Sequence, residues 1–72
     1  MKYSLVGING NAYNIMGYTS NALKNVGLSN LVDEMIKRAT SGDYNNLLRV
    51  CDEYIDIANE AAASKETEEE ES

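Results

Sequence analysis

Apolar residues recur along the chain at helical spacing in three stretches. The cleanest is Leu28, Leu31, Val32, Met35, Ile36 and Ala39, at i, i+3, i+4, i+7, i+8 and i+11, which is one helix face. This predicts a helix over 29–40, with Ser29 or Asn30 capping its first amides. Asp33 and Glu34 in its first turn and Lys37 and Arg38 in its last complement the helix dipole. A second pattern opens at Asp43, a good N-cap, and predicts a helix over 43–61. Tyr44, Leu47, Leu48, Cys51, Ile55 and Ala58 form one stripe, and Val50, Tyr54 and Ile57 form another beside it. The third pattern precedes both and predicts a helix over 11–26, with Gly27 just past its end. Its core face is Ala12, Ile15, Met16, Thr19, Leu23 and Val26.

The stretch before these helices reads differently. Tyr3 to Ile8 has strand composition with partial alternation, so residues 2–8 are expected to be a short strand. No second strand is visible, and an unpaired strand needs a partner. The simplest partner is the same segment of a second copy, antiparallel about a two-fold axis, and a polyproline-II-like extended arm is the alternative. The double stripe of the third helix is also wider than two short helices are expected to cover, so either the strand packs on it or another subunit does. Both features predict a homo-oligomer, with Tyr3, Leu5, Val50, Tyr54 and Ile57 as interface candidates. The expected fold class is therefore mainly α: one small domain over 1–61, with a short N-terminal strand and three amphipathic helices.

The chain has 72 residues with six basic and twelve acidic side chains, no histidine and one cysteine. A body this small buries only about 60% of its unfolded surface, which again favours association. One cysteine and no histidine exclude an internal disulfide, a Cys/His zinc site and histidine-dependent nucleophilic catalysis. The net charge of −6 argues against direct binding to nucleic acid, which needs a positive surface. Much of that charge is terminal: five of the twelve acidic residues lie between Glu66 and Glu71. Residues 62–72 are expected to be a disordered acidic tail. Residues 1–60 carry five basic groups against seven acidic ones, so the body is nearly neutral and a poor imitation of DNA. The N-terminus lacks the apolar run of a signal peptide, and no stretch suits a membrane span. With its lone thiol, the chain is expected to be cytoplasmic and not to engage a membrane.

Candidate chemistry concentrates early. Val6 to Ala12 is a junction with glycines at 7 and 10, entering a helix whose first amides favour an anion. The spacing is neither a P-loop nor a dinucleotide fingerprint, and a tight turn capped by Asn9 or Asn11 is the competing reading. Asn14, Tyr18, Asn21 and Asn25 line a separate stripe of the first helix. This stripe suits a solvated face, a subunit interface or a nucleobase contact. Gly17 sits mid-helix, where either another backbone or a ligand approaches. Tyr13 projects from the core stripe towards a partner or ligand, while Tyr44 and Tyr54 read as core bulk. Gly7, Asn9, Gly10, Asn11, Tyr13, Asn14, Gly17 and Tyr18 are thus the ligand-site candidates. Cys51 reads as a small buried hydrophobe, and Asp52, Asp56 and Glu60 as a solvated face without the ligands a metal needs. No cofactor or metal is expected.

Val6-Gly7-x-x-Gly10-Asn11-Ala12-x-x-x-Met16-Gly17 is followed later by Ser41-Gly42-Asp43-Tyr44-x-x-Leu47-Leu48. Over residues 3–55 this pattern resembles a group of small proteins of unassigned activity encoded by bacteria and their phages. Those proteins carry an acidic residue where this chain has Asn9. The resemblance implies an origin rather than an activity, and it marks the Gly7–Gly17 and Ser41–Tyr44 segments as units. Ser41 to Asp43 either cap the third helix alone or lie beside the first junction and close a shared pocket.

Small phage-encoded proteins usually act by stoichiometric binding, so the chain is expected to be non-enzymatic. The leading expectation is a homo-oligomer that sequesters a small anionic, nucleotide-like ligand in evasion of host defence, in the host cytoplasm if phage-encoded. The alternatives are an inhibitor that binds and blocks a host defence protein, and a structural or regulatory accessory protein.

Overall fold

A computed structural model of the chain describes the backbone of residues 2–71 and the side chains of residues 2–64. It is mainly helical, as the periodicity predicts. The helices are α1 (Ala12–Asn25), α2 (Val32–Ala39) and α3 (Tyr44–Glu71), with a 3₁₀ turn at Ser29–Leu31 leading into α2. α3 is the spine of the fold and packs against both α1 and α2, which also touch each other.

The ends of α1 follow from local chemistry. Asn11 is its N-cap, and its Oδ1 accepts the Tyr13 amide at 2.9 Å. At the other end, Gly27 takes φ +80°. The Gly27 amide then reaches the Lys24 carbonyl at 3.1 Å, and the Leu28 amide reaches that of Leu23 at 2.8 Å. These two bonds form a Schellman motif, and only a residue tolerant of positive φ fits there.

That closure reshapes the next element. Leu28 is tied back to Leu23, and its own carbonyl takes the Leu31 amide at 2.9 Å, so the chain turns within one residue. The predicted helix over 29–40 is accordingly divided into a 3₁₀ turn and a shorter α-helix. Neither Ser29 nor Asn30 caps it, because the residue at the cap position is Leu28. Asp43 does cap α3 as expected, with Oδ1 accepting the Asn46 amide at 2.9 Å.

Three expectations are corrected. No strand exists among the described residues, and residues 2–8 form an extended arm that ends in a turn at Leu5–Ile8. The partner this arm needs is a side chain. Asn59 Oδ1 accepts the Tyr3 amide at 2.7 Å, and Asn59 Nδ2 donates to the Tyr3 carbonyl at 2.9 Å. A carboxamide presents the same donor and acceptor as a peptide group, so one asparagine replaces one residue of a neighbouring strand. The second correction concerns the end of the folded body. α3 does not stop near Ala61, and Ala62, only 6% exposed, belongs to the buried apolar set. The backbone of the expected disordered tail continues α3 as far as Glu71, and the side chains of residues 65–71 and all of Ser72 lie outside the described residues.

The third correction concerns the interface assigned to the wide apolar face of α3, where of the two expected coverings the N-terminal segment is the one found. Val50, Cys51, Tyr54, Ile55 and Ala58 are all buried within one chain, and Leu47 is 5% exposed. Ile15, Ala22 and Leu23 of α1 and Met35 and Ala39 of α2 complete this core, with Tyr3, Leu5 and Ile8 of the arm packed against it. Three elements thus cover what two short helices were not expected to cover. Val50 and Tyr54 are therefore buried by their own chain and unavailable to a second one.

Candidate functional site

The two segments that carry the sequence pattern meet in space. The N-terminal ends of α1 and α3 border an open groove of about 390 Å³. Ala12 and Met16 of α1 and Leu47 of α3 give it apolar walls, and Ala39 at the end of α2 lies between them. Tyr13, 82% exposed, and Tyr44, 45% exposed, line it as well, together with Thr40 and Asp43 of the loop. The Tyr44 hydroxyl donates to the carbonyl of Gly10 and so ties the two segments together. A Cβ at Gly10 would lie 3.2 Å from that hydroxyl, tight enough to displace it by a few tenths of an ångström. Gly42, Asp43 and Tyr44 therefore lie beside the first junction, and Asp43 also caps α3, whereas Ser41 turns back to the Arg38 carbonyl.

The electrostatics of the groove do not favour an anion. No lysine or arginine lines it, and Asp43 contributes a carboxylate. Both helix N-termini are already served by the chain itself, through Asn11 at α1 and Asp43 at α3. The turn before α1 is served too, because Asn9 Oδ1 accepts the Asn11 amide at 3.0 Å. An aspartate would accept the same bond, so asparagine at position 9 changes the charge of this turn without changing its geometry.

The remaining ligand-site candidates are dispersed. Gly7 lies in the arm's turn with φ +83°, where positive φ alone explains a glycine. Tyr18 is engaged within the chain. Its hydroxyl accepts the Ser4 amide at 3.1 Å, and its ring meets that of Tyr3 edge-on at a centroid distance of 6.4 Å. Asn14, Asn21 and Asn25 are exposed. Gly17 is exposed, and a Cβ added there would meet nothing within 4 Å. No part of the chain approaches closely enough to require a glycine, which costs about 1 kcal/mol in a helix interior. Of the interface candidates, Tyr3 and Leu5 are half-buried, Val50 and Tyr54 are buried, and Ile57 is 37% exposed.

Two participants escape sequence reasoning. Tyr44 reads as core because it continues the apolar stripe of α3, yet it occupies the first helical turn and stands half out of the core. Asn59 gives no signal, since its partner is 56 residues away in sequence. Cys51 is fully buried, as expected. Burial pushes its thiol above the ordinary value, and the Thr19 hydroxyl beside it pulls weakly the other way. No group of metal-ligating side chains occurs among the described residues, and no described helix is long and apolar enough to cross a membrane. Compared with family models, curated proteins and solved structures, the chain matches none of them.

Proposed function

We propose that this chain is a non-enzymatic binding protein that blocks a partner protein by seating one of its apolar side chains in the groove between α1 and α3. The exposure of Tyr13 carries this reading. A tyrosine 82% exposed beside an apolar groove is poorly explained by the stability of the chain. Exposed aromatic anchors at apolar clefts are the usual anatomy of a protein-binding hot spot. The resemblance to small bacterial and phage proteins suits such a role, with a host defence protein in the host cytoplasm as the target. Sequestration of an anionic nucleotide is the second reading. It is favoured by the convergence of two helix N-termini on one groove and opposed by Asp43 and the occupied caps.

The two readings separate experimentally. Immobilised protein is expected to retain a protein from a bacterial host lysate, and Tyr13→Ser is expected to lose it with an unchanged melting temperature. A panel of nucleotides is expected to leave the melting temperature unmoved. Equal retention by Tyr13→Ser would overturn the docking reading, and a nucleotide-dependent rise in melting temperature would replace it with the second.

A further inference from the structure

We propose that the outward face of α1 is the surface through which two copies of this chain associate, helix against helix about a two-fold axis close to Gly17. Tyr13, four residues before Gly17, borders both this face and the groove. Gly17 and Asn21 belong to this face alone, so substitutions at 17 and 21 test this proposal apart from the groove. Its basis is the position of Gly17. With 100° per residue, Gly17 points away from the buried Ile15, Thr19, Ala22 and Leu23, with the buried Ser20 to one side of it. Tyr13, Asn14, Asn21 and Lys24 surround it on this face, and all are exposed. Its backbone does not take a positive φ, and its missing Cβ opens onto empty space. Neither conformation nor packing within one chain accounts for a glycine at the centre of an exposed helical face. Close approach of a second backbone does.

Charge names the occupant. All twelve acidic residues lie at or after Asp33, and residues 1–32 contain none. A protein of net charge −6 meets another copy with least repulsion through a surface without carboxylates, and the outer face of α1 is such a surface. Asn14 and Asn21 strengthen this choice. A primary amide is both donor and acceptor, so each can pair with whichever polar group the second copy places opposite it, and the long stem of Lys24 lets its charge reach water at the rim. The earlier interface prediction fares worse, because two of its five residues are buried in the monomer.

Sedimentation velocity on the full chain, from low micromolar to millimolar concentration, tests the proposal. The mass is expected to rise from 7.9 kDa towards twice that value. Gly17→Gln, which adds bulk without charge, is expected to weaken the dimer at least about tenfold, and Asn21→Glu to weaken it further by repulsion. Gly17→Gln should also melt no lower than the parent in dilute solution, which shows that it folds. Ile57→Ser is expected to leave association unchanged. A chain monomeric throughout, or a dimer indifferent to Gly17→Gln, overturns the proposal. A dimer broken by Ile57→Ser alone places the interface on α3 instead.

Discussion

The α2–α3 seam and the N-terminal arm solve the same problem, satisfying the backbone at the edge of a small core, by opposite means. In the seam most backbone ties are local, within eight residues, and only the Arg38 side chain reaches further, 15 and 16 residues to Glu53 and Tyr54. The Arg38 carbonyl accepts from Ser41 Oγ at 2.6 Å and from Asn46 Nδ2 at 2.9 Å, and Thr40 Oγ1 donates to the Ile36 carbonyl at 2.7 Å. The Arg38 guanidinium lies 5.6 Å from the centre of the Tyr54 ring and binds Glu53. In the arm and the turn that joins it to α1, the ties come from Tyr18, Tyr44 and Asn59, which lie 14, 34 and 56 residues from their partners. The seam closes short loops and is redundant; the arm relies on single side chains from two different helices. Loop closure costs little more for long loops than for short ones, so the difference lies in redundancy rather than in entropy.

This contrast predicts how each region fails. Met35, fully buried on α2, anchors the seam to the core. Met35→Ala is expected to cost roughly 2–5 kcal/mol and to lower the single global transition measured by thermal or urea unfolding. Asn59→Ala removes both bonds to Tyr3 and is expected to cost about 1–3 kcal/mol in arm docking. The signature of that second variant is spatial. Amide hydrogen exchange should accelerate in residues 2–8 and leave the centre of α3 protected. Labelling of the buried Cys51 thiol should stay slow in Asn59→Ala and accelerate in Met35→Ala. A fast thiol in Asn59→Ala would show that arm and core open together, and the contrast would fail.

The same contrast explains what the sequence discloses. Asn11, Gly27 and Asp43 are legible because caps act over two to five residues, within the reach of a local pattern. The core of α1 and α3 is legible because apolar spacing follows the helix repeat. The arm is not legible. Its composition is that of a strand, but whether it pairs with a strand or with a carboxamide depends on what α3 places opposite Tyr3. The candidate site is divided in the same way. Tyr13 projects outwards as the periodicity of α1 requires. Tyr44 follows the stripe of α3 only in part, because at the first turn it faces the open groove and spends its hydroxyl on the Gly10 carbonyl.

The cap of α3 tests a single member of the redundant seam. Asp43→Ala is expected to cost about 1 kcal/mol. The loss stays small because Asn46 keeps its bond to the Arg38 carbonyl and continues to brace the loop. Asp43→Asn should recover most of the loss, since an amide oxygen accepts the same bond. Equilibrium urea unfolding of the three proteins measures this directly, and a loss as large as that of Asn59→Ala would deny the seam its redundancy.

The smallest effect is expected from the most conspicuous contact, the ion pair of Arg38 and Glu53 at 2.8 Å. Both side chains are about half exposed, at 52% and 48%, so water and salt screen their attraction and the pair contributes little. Arg38 also lies against the Tyr54 ring, with 3.4 Å from the guanidinium to the phenol oxygen, and that contact survives loss of the carboxylate. Glu53→Gln should therefore change stability less than Arg38→Ala, and only the pair's share should fade with added salt. A double-mutant cycle between positions 38 and 53, at low and high ionic strength, isolates that share. A coupling that persists undiminished in high salt would mean that the seam is held by charge, whereas its geometry assigns the work to carbonyls, amides and one aromatic ring.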